Sequence, residues 1–262
     1  MKSIGFFYCV QTPFRQDRSV LYFACIMIPL ALAVVLPIYN EEANIKAVVS
    51  EWMQELNRLA IPFTLLAIND GSRDGTGAIL QALAQRYPGL VTPVEKKNGG
   101  HGQACRTGYA LAVERQADWT LQIDSDGQCE PRFFSSFWNV RDQADAIFGL
   151  RKTRDDGLSR VLISAVCRLV TSAFCGIDLK DANVPYRLIR TPVLEKMLTR
   201  IPADFDMQNV ALTLALKRDA SVRWKYVPIH FGDRRGGTNS LNFKRIVAMG
   251  WELLCNLHRI PR

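Results

Sequence analysis

The sequence predicts an α/β fold: a mostly parallel central sheet with helices on both faces. Three observations point there. From Leu30 onward, short apolar runs alternate with amphipathic stretches. No linker, internal repeat or low-complexity tract interrupts that alternation. A polar cluster follows each of the first four apolar runs. Strands separated by helices pair in parallel, because the crossover returns the chain to its starting edge. Ligands of such sheets bind beyond the carboxyl ends of the strands.

Leu30–Leu36 is an unbroken apolar run, as expected of a strand covered on both faces. Over Glu42–Leu59, residues Ile45, Val49, Trp52, Leu56 and Leu59 recur at helical spacing. Phe63–Ile68 is the second strand. Asp74–Tyr87 is the second helix, stopped by Pro88-Gly89. Leu90–Val94 gives a third strand and Gly102–Arg115 a third helix. Trp119–Ile123 is a fourth strand that runs directly into Asp124-Ser-Asp-Gly-Gln128. In the second half, Ala144–Leu150 and Val222–Ile229 read as strands, and Val184–Ile189 as extended. Leu158–Phe174, Val193–Thr199, Met207–Arg218 and Phe243–His258 read as helices.

The chain has 262 residues, 48% of them hydrophobic, enough for one sizeable core. The expected division is an N-terminal extension over 1–29, an organised domain over 30–242, and a C-terminal amphipathic helix over 243–262. Residues 19–36 are apolar enough to hint at a membrane segment, but Pro29 interrupts them and the first strand accounts for the second half. A membrane-contacting leader and a true start at Met27 both stay open. The net charge of +8 suits an anionic partner, a phosphorylated substrate or an anionic membrane surface. No aromatic-basic recognition motif appears, so nucleic acid is not an expected partner. Seven Cys, an odd number without C-x-x-C spacing, fit reduced thiols in a cytoplasmic chain. The stretches 158–174 and 243–258 mix basic and apolar residues. Such helices either pack in a core or lie peripherally against a membrane, here its inner face.

Asp124 and Asp126, at i and i+2 just past a strand, can reach one cation. Hard divalent ions such as Mg²⁺ or Mn²⁺ take such oxygen ligands and keep room for substrate phosphates. Gln128 adds a neutral amide. Pro37, Tyr39 and Glu41 follow the first strand, and Tyr39 can stack on or flank a base. The plain alternative is a helix start, with Asn40 as cap and Glu41 and Glu42 on the helix dipole. Asn69, Asp70 and Ser72 belong to a loop rich in turn formers. Asp70 can accept from a nucleobase or ribose, and Asp74 or Thr76 can simply cap the next helix. Asn98-Gly-Gly-His-Gly-Gln-Ala104, with Gly102 among its glycines, opens a helix whose amides can receive an anion. A ligand-free turn is the alternative there. His101 has no evident partner in the sequence. Arg151, Arg154 and Arg234 supply guanidinium forks that match phosphate oxygens.

The ordered set LPIYNEEANI, INDGSRDGT, NGGHGQA, IDSDGQ, GLR, DANVPYRLIR and RRGGTNS resembles family 2 glycosyltransferases. The likeness is strongest to those acting on polyprenyl phosphates, dolichyl-phosphate mannose synthases among them. It spans about residues 30–242. It implies a GT-A (Rossmann-like) fold, a nucleotide-sugar donor and inversion at the anomeric carbon. Pro37, Tyr39, Glu41 and Asp70 would then contact base and ribose. Asp124, Asp126 and Gln128 would hold metal and diphosphate, and Arg151 and Arg234 phosphate. Five departures stand out. Asn69 replaces a frequent Asp, and His101 a common Lys. Pro185-Tyr-Arg187 replaces Gly-Phe-Arg. Gln208 lies near a place where relatives often carry an acid. The C-terminal membrane helices of many bacterial polyprenyl-acceptor relatives do not follow. A lipid phosphate is the favoured acceptor; a glycan hydroxyl, or a non-catalytic nucleotide- or lipid-binding role, remains the alternative.

Overall fold

The computed structural model describes residues 29–154, 184–205 and 207–232. The extension before residue 29, the helices expected over 158–174 and 243–258, and Arg234 lie outside the described residues. The first half alternates as its apolar runs require: β1 (Leu32–Ile38), α1 (Ile45–Arg58), β2 (Phe63–Asn69), α2 (Thr76–Arg86), β3 (Val91–Glu95), α3 (His101–Glu114) and β4 (Trp119–Gln122). A 3₁₀ turn at Pro131–Phe133 and the short α4 (Phe134–Trp138) follow. Then come β5 (Ala146–Arg154), β6 (Arg187–Arg190), α5 (Thr191–Arg200), α6 (Gln208–Arg218) and β7 (Trp224–Phe231).

The strands form a sheet in the order β3-β2-β1-β4-β6-β5-β7. Only β6 runs against its neighbours, so the sheet is mostly parallel, as expected. The order itself places the helices. From β1 to β3 the chain steps outward in one direction; from β3 to β4 it returns past β2 and β1. Right-handed crossovers therefore put α1 and α2 on one face and α3 on the other. The direction reverses between β1 and β4, which is where open α/β sheets form their ligand crevice.

β1 is buried throughout, yet contains Pro37, which the sequence reading had placed in the loop. Its geometry explains how. Val35 O accepts from Ile123 N on the β4 side, and Ile38 O accepts from Asp70 N on the β2 side. The nitrogen of Pro37 thus faces the β4 side, where pairing has already ended at Gln122. No ladder bond is lost, so the strand runs to Ile38.

The expected stripe of α1 is buried at Ile45, Val49, Trp52 and Leu56, widened by Val48 and Met53. Trp52 meets Phe134 and Tyr186, each with ring centroids 5.8 Å away. Tyr186 stacks on Phe137 at 4.5 Å. The departure at Pro185-Tyr186 is therefore a core aromatic packed on the 3₁₀–α4 segment. That segment went unread in the sequence because five helical residues carry no period.

Helix α3 lies on β1 through Gly108. A Cβ placed there would stand 2.2 Å from Val35 Cγ1. Both residues belong to the buried centre, so neither can yield without moving a helix or strand. Gly108→Ala is expected to destabilise the chain by about 1–3 kcal/mol through overpacking. A lowered thermal midpoint checks this. An unchanged midpoint would mean that α3 rides higher on the sheet.

Candidate active site

The loops after β1 and β2 are fastened to each other. Asn40 N donates to Ser72 Oγ (2.9 Å), and Asn40 Oδ1 accepts from Arg73 N (2.8 Å). Glu41 N donates to Thr76 Oγ1 (2.9 Å). Glu42 Oε2 accepts from Gly75 N at 2.6 Å. Asn40 is thus not the cap of α1, as one reading had it. Helix α1 begins at Ile45 with Asn44 as N-cap, and Asn40 adopts φ 53° to bridge two loops. Glu41 is buried and accepts from Asn44 Nδ2. Asp74 does serve the start of α2, accepting from Thr76 N at 3.1 Å. Beside this fastened pair, Tyr39 remains 44% exposed, a large hydrophobic side chain left open to the crevice side of β1.

Asn69 and Asp70 turn inward. Asn69 donates to Glu95 Oε2 (2.8 Å) and accepts from Ser72 N (3.1 Å). The Asp70 carboxylate is 3% exposed and pairs with Lys96. It also accepts from Gly99 N (2.9 Å) and Gly100 N (2.8 Å). The sequence reading had offered the amides before α3 to a ligand anion. Two of them instead receive an anion belonging to the protein. Gly102 is buried in the first turn of α3 that Asp70 thereby fixes.

That anchoring presents His101, the first residue of α3, to the acidic pair. His101 Nε2 lies 3.8 Å from Asp124 Oδ1; the two side chains are 51% and 30% exposed. Gln122 Nε2, itself held by Tyr109, donates to the same oxygen at 3.3 Å. The Asp124 backbone is pinned from below by Cys129 Sγ, 3.5 Å from its N–H. Burial, then the charges of Asp124 and Asp126, push the Cys129 thiol up, so it remains a neutral thiol. Gly127 takes φ 81°, which lets the chain turn sharply after Asp126. Asp126 Oδ1 accepts from Gln128 N at 3.1 Å. Gln128 Nε2 donates to Gly232 O (2.7 Å), tying the acidic loop to the end of β7. Arg151, on β5, is close enough for its charge to lower the Cys129 pKa against these effects.

The sequence reading left His101 without a partner and gave no role to Cys105 or Asn209. The Cys105 sulfur and the Asp124 carboxylate raise the His101 pKa above the ordinary histidine value, against burial and the opposing charge of Arg187. His101 and Cys105 are spaced i, i+4 on α3, a signal that was available. Asn209 comes from α6, 108 residues away from His101, and left none. Gln208, beside it, is buried and donates to Phe205 O (2.7 Å) and Pro202 O (3.3 Å). A carboxylate there would face two carbonyl oxygens with no proton to give.

Comparison with known proteins matches the arrangement to a family. The model of glycosyl transferase family 2 matches residues 33–198. Undecaprenyl-phosphate 4-deoxy-4-formamido-L-arabinose transferase of Pectobacterium atrosepticum is 22% identical over 232 residues, covering 88% of this chain and 68% of that protein. The enzyme of the same name from Salmonella choleraesuis is also 22% identical, over 238 residues, with the same coverages. Among solved structures, glucosyl-3-phosphoglycerate synthase of Mycobacterium tuberculosis, crystallised with Mn²⁺, UDP and phosphoglyceric acid, superposes with a TM-score of 0.63 at 18% identity, covering 89% of this chain and 80% of that one. Mannosyl-3-phosphoglycerate synthase of Rubrobacter xylanophilus gives 0.60 at 14% identity, covering 88% and 73%.

Proposed function

The chain belongs to glycosyl transferase family 2, and on that premise we propose that it is an inverting, metal-assisted enzyme that moves a sugar from a nucleotide diphosphate to a polyprenyl phosphate. One observation carries the reading. Asp124 and Asp126 follow β4 at the point where strand order reverses, across from the exposed Tyr39 at the end of β1.

The residues present suit a hard divalent ion, Mg²⁺ or Mn²⁺. Asp124 and Asp126 are partly exposed carboxylates on one short turn, and Gln128 would add an amide oxygen to an all-oxygen set. Among the described residues no group of three acidic, His or Cys side chains is placed to hold a metal by itself. That suits an ion whose remaining ligands are donor phosphates. When bound, such an ion neutralises charge gathering on the departing diphosphate. The chain does the rest. Tyr39 covers the base, the fastened loops at Asn40–Thr76 fix the ribose side, and Arg151 and Arg234 hold phosphate oxygens. Asn69, Asp70, Ser72 and Glu41 shape this pocket from behind, through the bonds they make within the protein.

The acceptor follows from charge and from what the site does not offer. Gln208, near a place where relatives often carry an acid, is a buried amide bound to Phe205 O and offers no base. A phosphate monoester is already anionic and needs none. Its oxygen attacks the anomeric carbon in line as the bond to the diphosphate breaks, which inverts the centre. The net charge of +8 favours an anionic lipid headgroup at the inner face of a membrane. Among the described residues no helix is long and apolar enough to cross a membrane. The curated relatives carry undecaprenyl phosphate in their names.

The test is product analysis with UDP- and GDP-sugars, undecaprenyl phosphate and Mn²⁺. The expected product is a lipid-linked sugar phosphate of inverted configuration, and chelation of the metal should abolish it. Transfer confined to neutral sugar hydroxyls would overturn the acceptor assignment.

A further inference from the structure

Side chains from three parts of the fold, α3, α6 and the turn after β4, meet at one atom. His101 Nε2, at the start of α3, lies 3.4 Å from Cys105 Sγ, 3.4 Å from Asn209 Nδ2 and 3.8 Å from Asp124 Oδ1. A Cys–His–Asn relay is excluded by this geometry, because a relay needs the sulfur and the amide on opposite ring nitrogens. Here all partners crowd the same one. Cys105 is fully buried besides, beyond reach of any substrate.

The arrangement suits a different task. Asn209 is 5% exposed and its Oδ1 is buried without a hydrogen-bond partner. An amide can turn end for end within the same volume. That turn presents Oδ1 to the single Nε2–H and so fixes the direction of the ring; Asp124 Oδ1, 3.8 Å from the same nitrogen, is then met by packing and electrostatics, not by a hydrogen bond. Asn209 is in turn fixed by its carbonyl, which accepts from Arg187 Nη1 (2.7 Å) and Thr213 Oγ1 (2.8 Å). Arg187 is fully buried and spans from Val184 O to α6, with its guanidinium over the Phe148 ring. A rigid line therefore runs from the second half of the chain to one oxygen of the acidic pair. Gln122 grips that same oxygen from the sheet.

We infer that His101, backed by Asn209, is a positioning residue that orients Asp124 for the divalent cation. Partners of this kind typically contribute about 10- to 100-fold to metal affinity. The inference rests on the reading of Asp124 and Asp126 as the cation site.

Mn²⁺ binding to the full chain, followed by electron paramagnetic resonance in the presence of UDP, tests both levels. His101→Leu is expected to weaken Mn²⁺ binding by about 10- to 100-fold, and His101→Gln, which keeps an N–H donor, to restore most of it. Asn209→Ala should weaken binding in the same direction by less. Circular dichroism melts identify any variant that has merely lost its fold, and the His101→Gln against His101→Leu contrast survives that outcome. Wild-type Mn²⁺ binding by His101→Leu, with binding lost in Asp126→Asn, would overturn this inference alone. No loss in Asp126→Asn, or no Mn²⁺ binding by the wild-type chain, would overturn the cation site itself.

Discussion

Replacing Asp126 with asparagine is expected to lower kcat/KM for sugar transfer by about 100- to 1,000-fold while leaving the thermal midpoint unchanged. The factor corresponds to several kcal/mol of charge stabilisation on the leaving diphosphate. Asparagine is the informative substitution because it removes charge and little else. Its side-chain oxygen can still accept from Gln128 N, the bond that closes the turn over Gly127. Alanine would break that turn and confuse geometry with chemistry. Stability should hold because Asp126 is only partly buried, and the loop is anchored independently through Cys129 Sγ and through Gln128 to Gly232. Asp124→Asn is expected to behave alike in activity. Steady-state kinetics with saturating Mn²⁺ decides the matter. Near-normal turnover in both variants would mean that the acidic turn does not hold the cation.

The parts of this molecule legible in the sequence are those whose cause is local. β1 and β2 announced themselves because a strand covered on both faces is apolar along most of its length, while the half-exposed edge strand β3 showed only as a short apolar run after Pro88-Gly89. α1 announced itself through its period. The convergence of polar loops at one edge followed from parallel pairing alone. What resisted reading has its cause at a distance. Pro37 belongs to β1 because of where β4 stops pairing, which no property of Pro37 reveals. α4 is too short for a period, and its Phe134 and Phe137 are defined by Trp52 and Tyr186, far away in the chain. Asn69 and Asp70 read as ligand contacts or as a plain loop alike, because turn formers at a strand end carry the same residues whether they serve a ligand or the protein. Their partners lie 26 to 30 residues on, at Glu95, Lys96, Gly99 and Gly100.

That last point makes Asp70 the position where a structural brace and a ligand contact are most sharply told apart. Asp70→Ala is expected to destabilise the chain by about 3–5 kcal/mol, the scale of breaking a buried pair from one side. The loss has identifiable parts. The Lys96 ammonium, 19% exposed, would remain without its counter-charge, and the amides of Gly99 and Gly100 would lose their acceptor. The start of α3 would then loosen, and His101 with it. Adding Lys96→Met to Asp70→Ala removes the stranded charge, so the double variant should recover part of the deficit, a coupling that a double-mutant cycle measures. Urea midpoints read the energies, and fluorescence titration with UDP reads the site. A brace predicts that donor affinity falls together with stability and recovers in part with the second substitution. A nucleobase contact predicts the opposite pattern, a normal midpoint with weakened UDP binding that Lys96→Met cannot repair. The carboxylate already has three donors within the protein, which favours the first pattern.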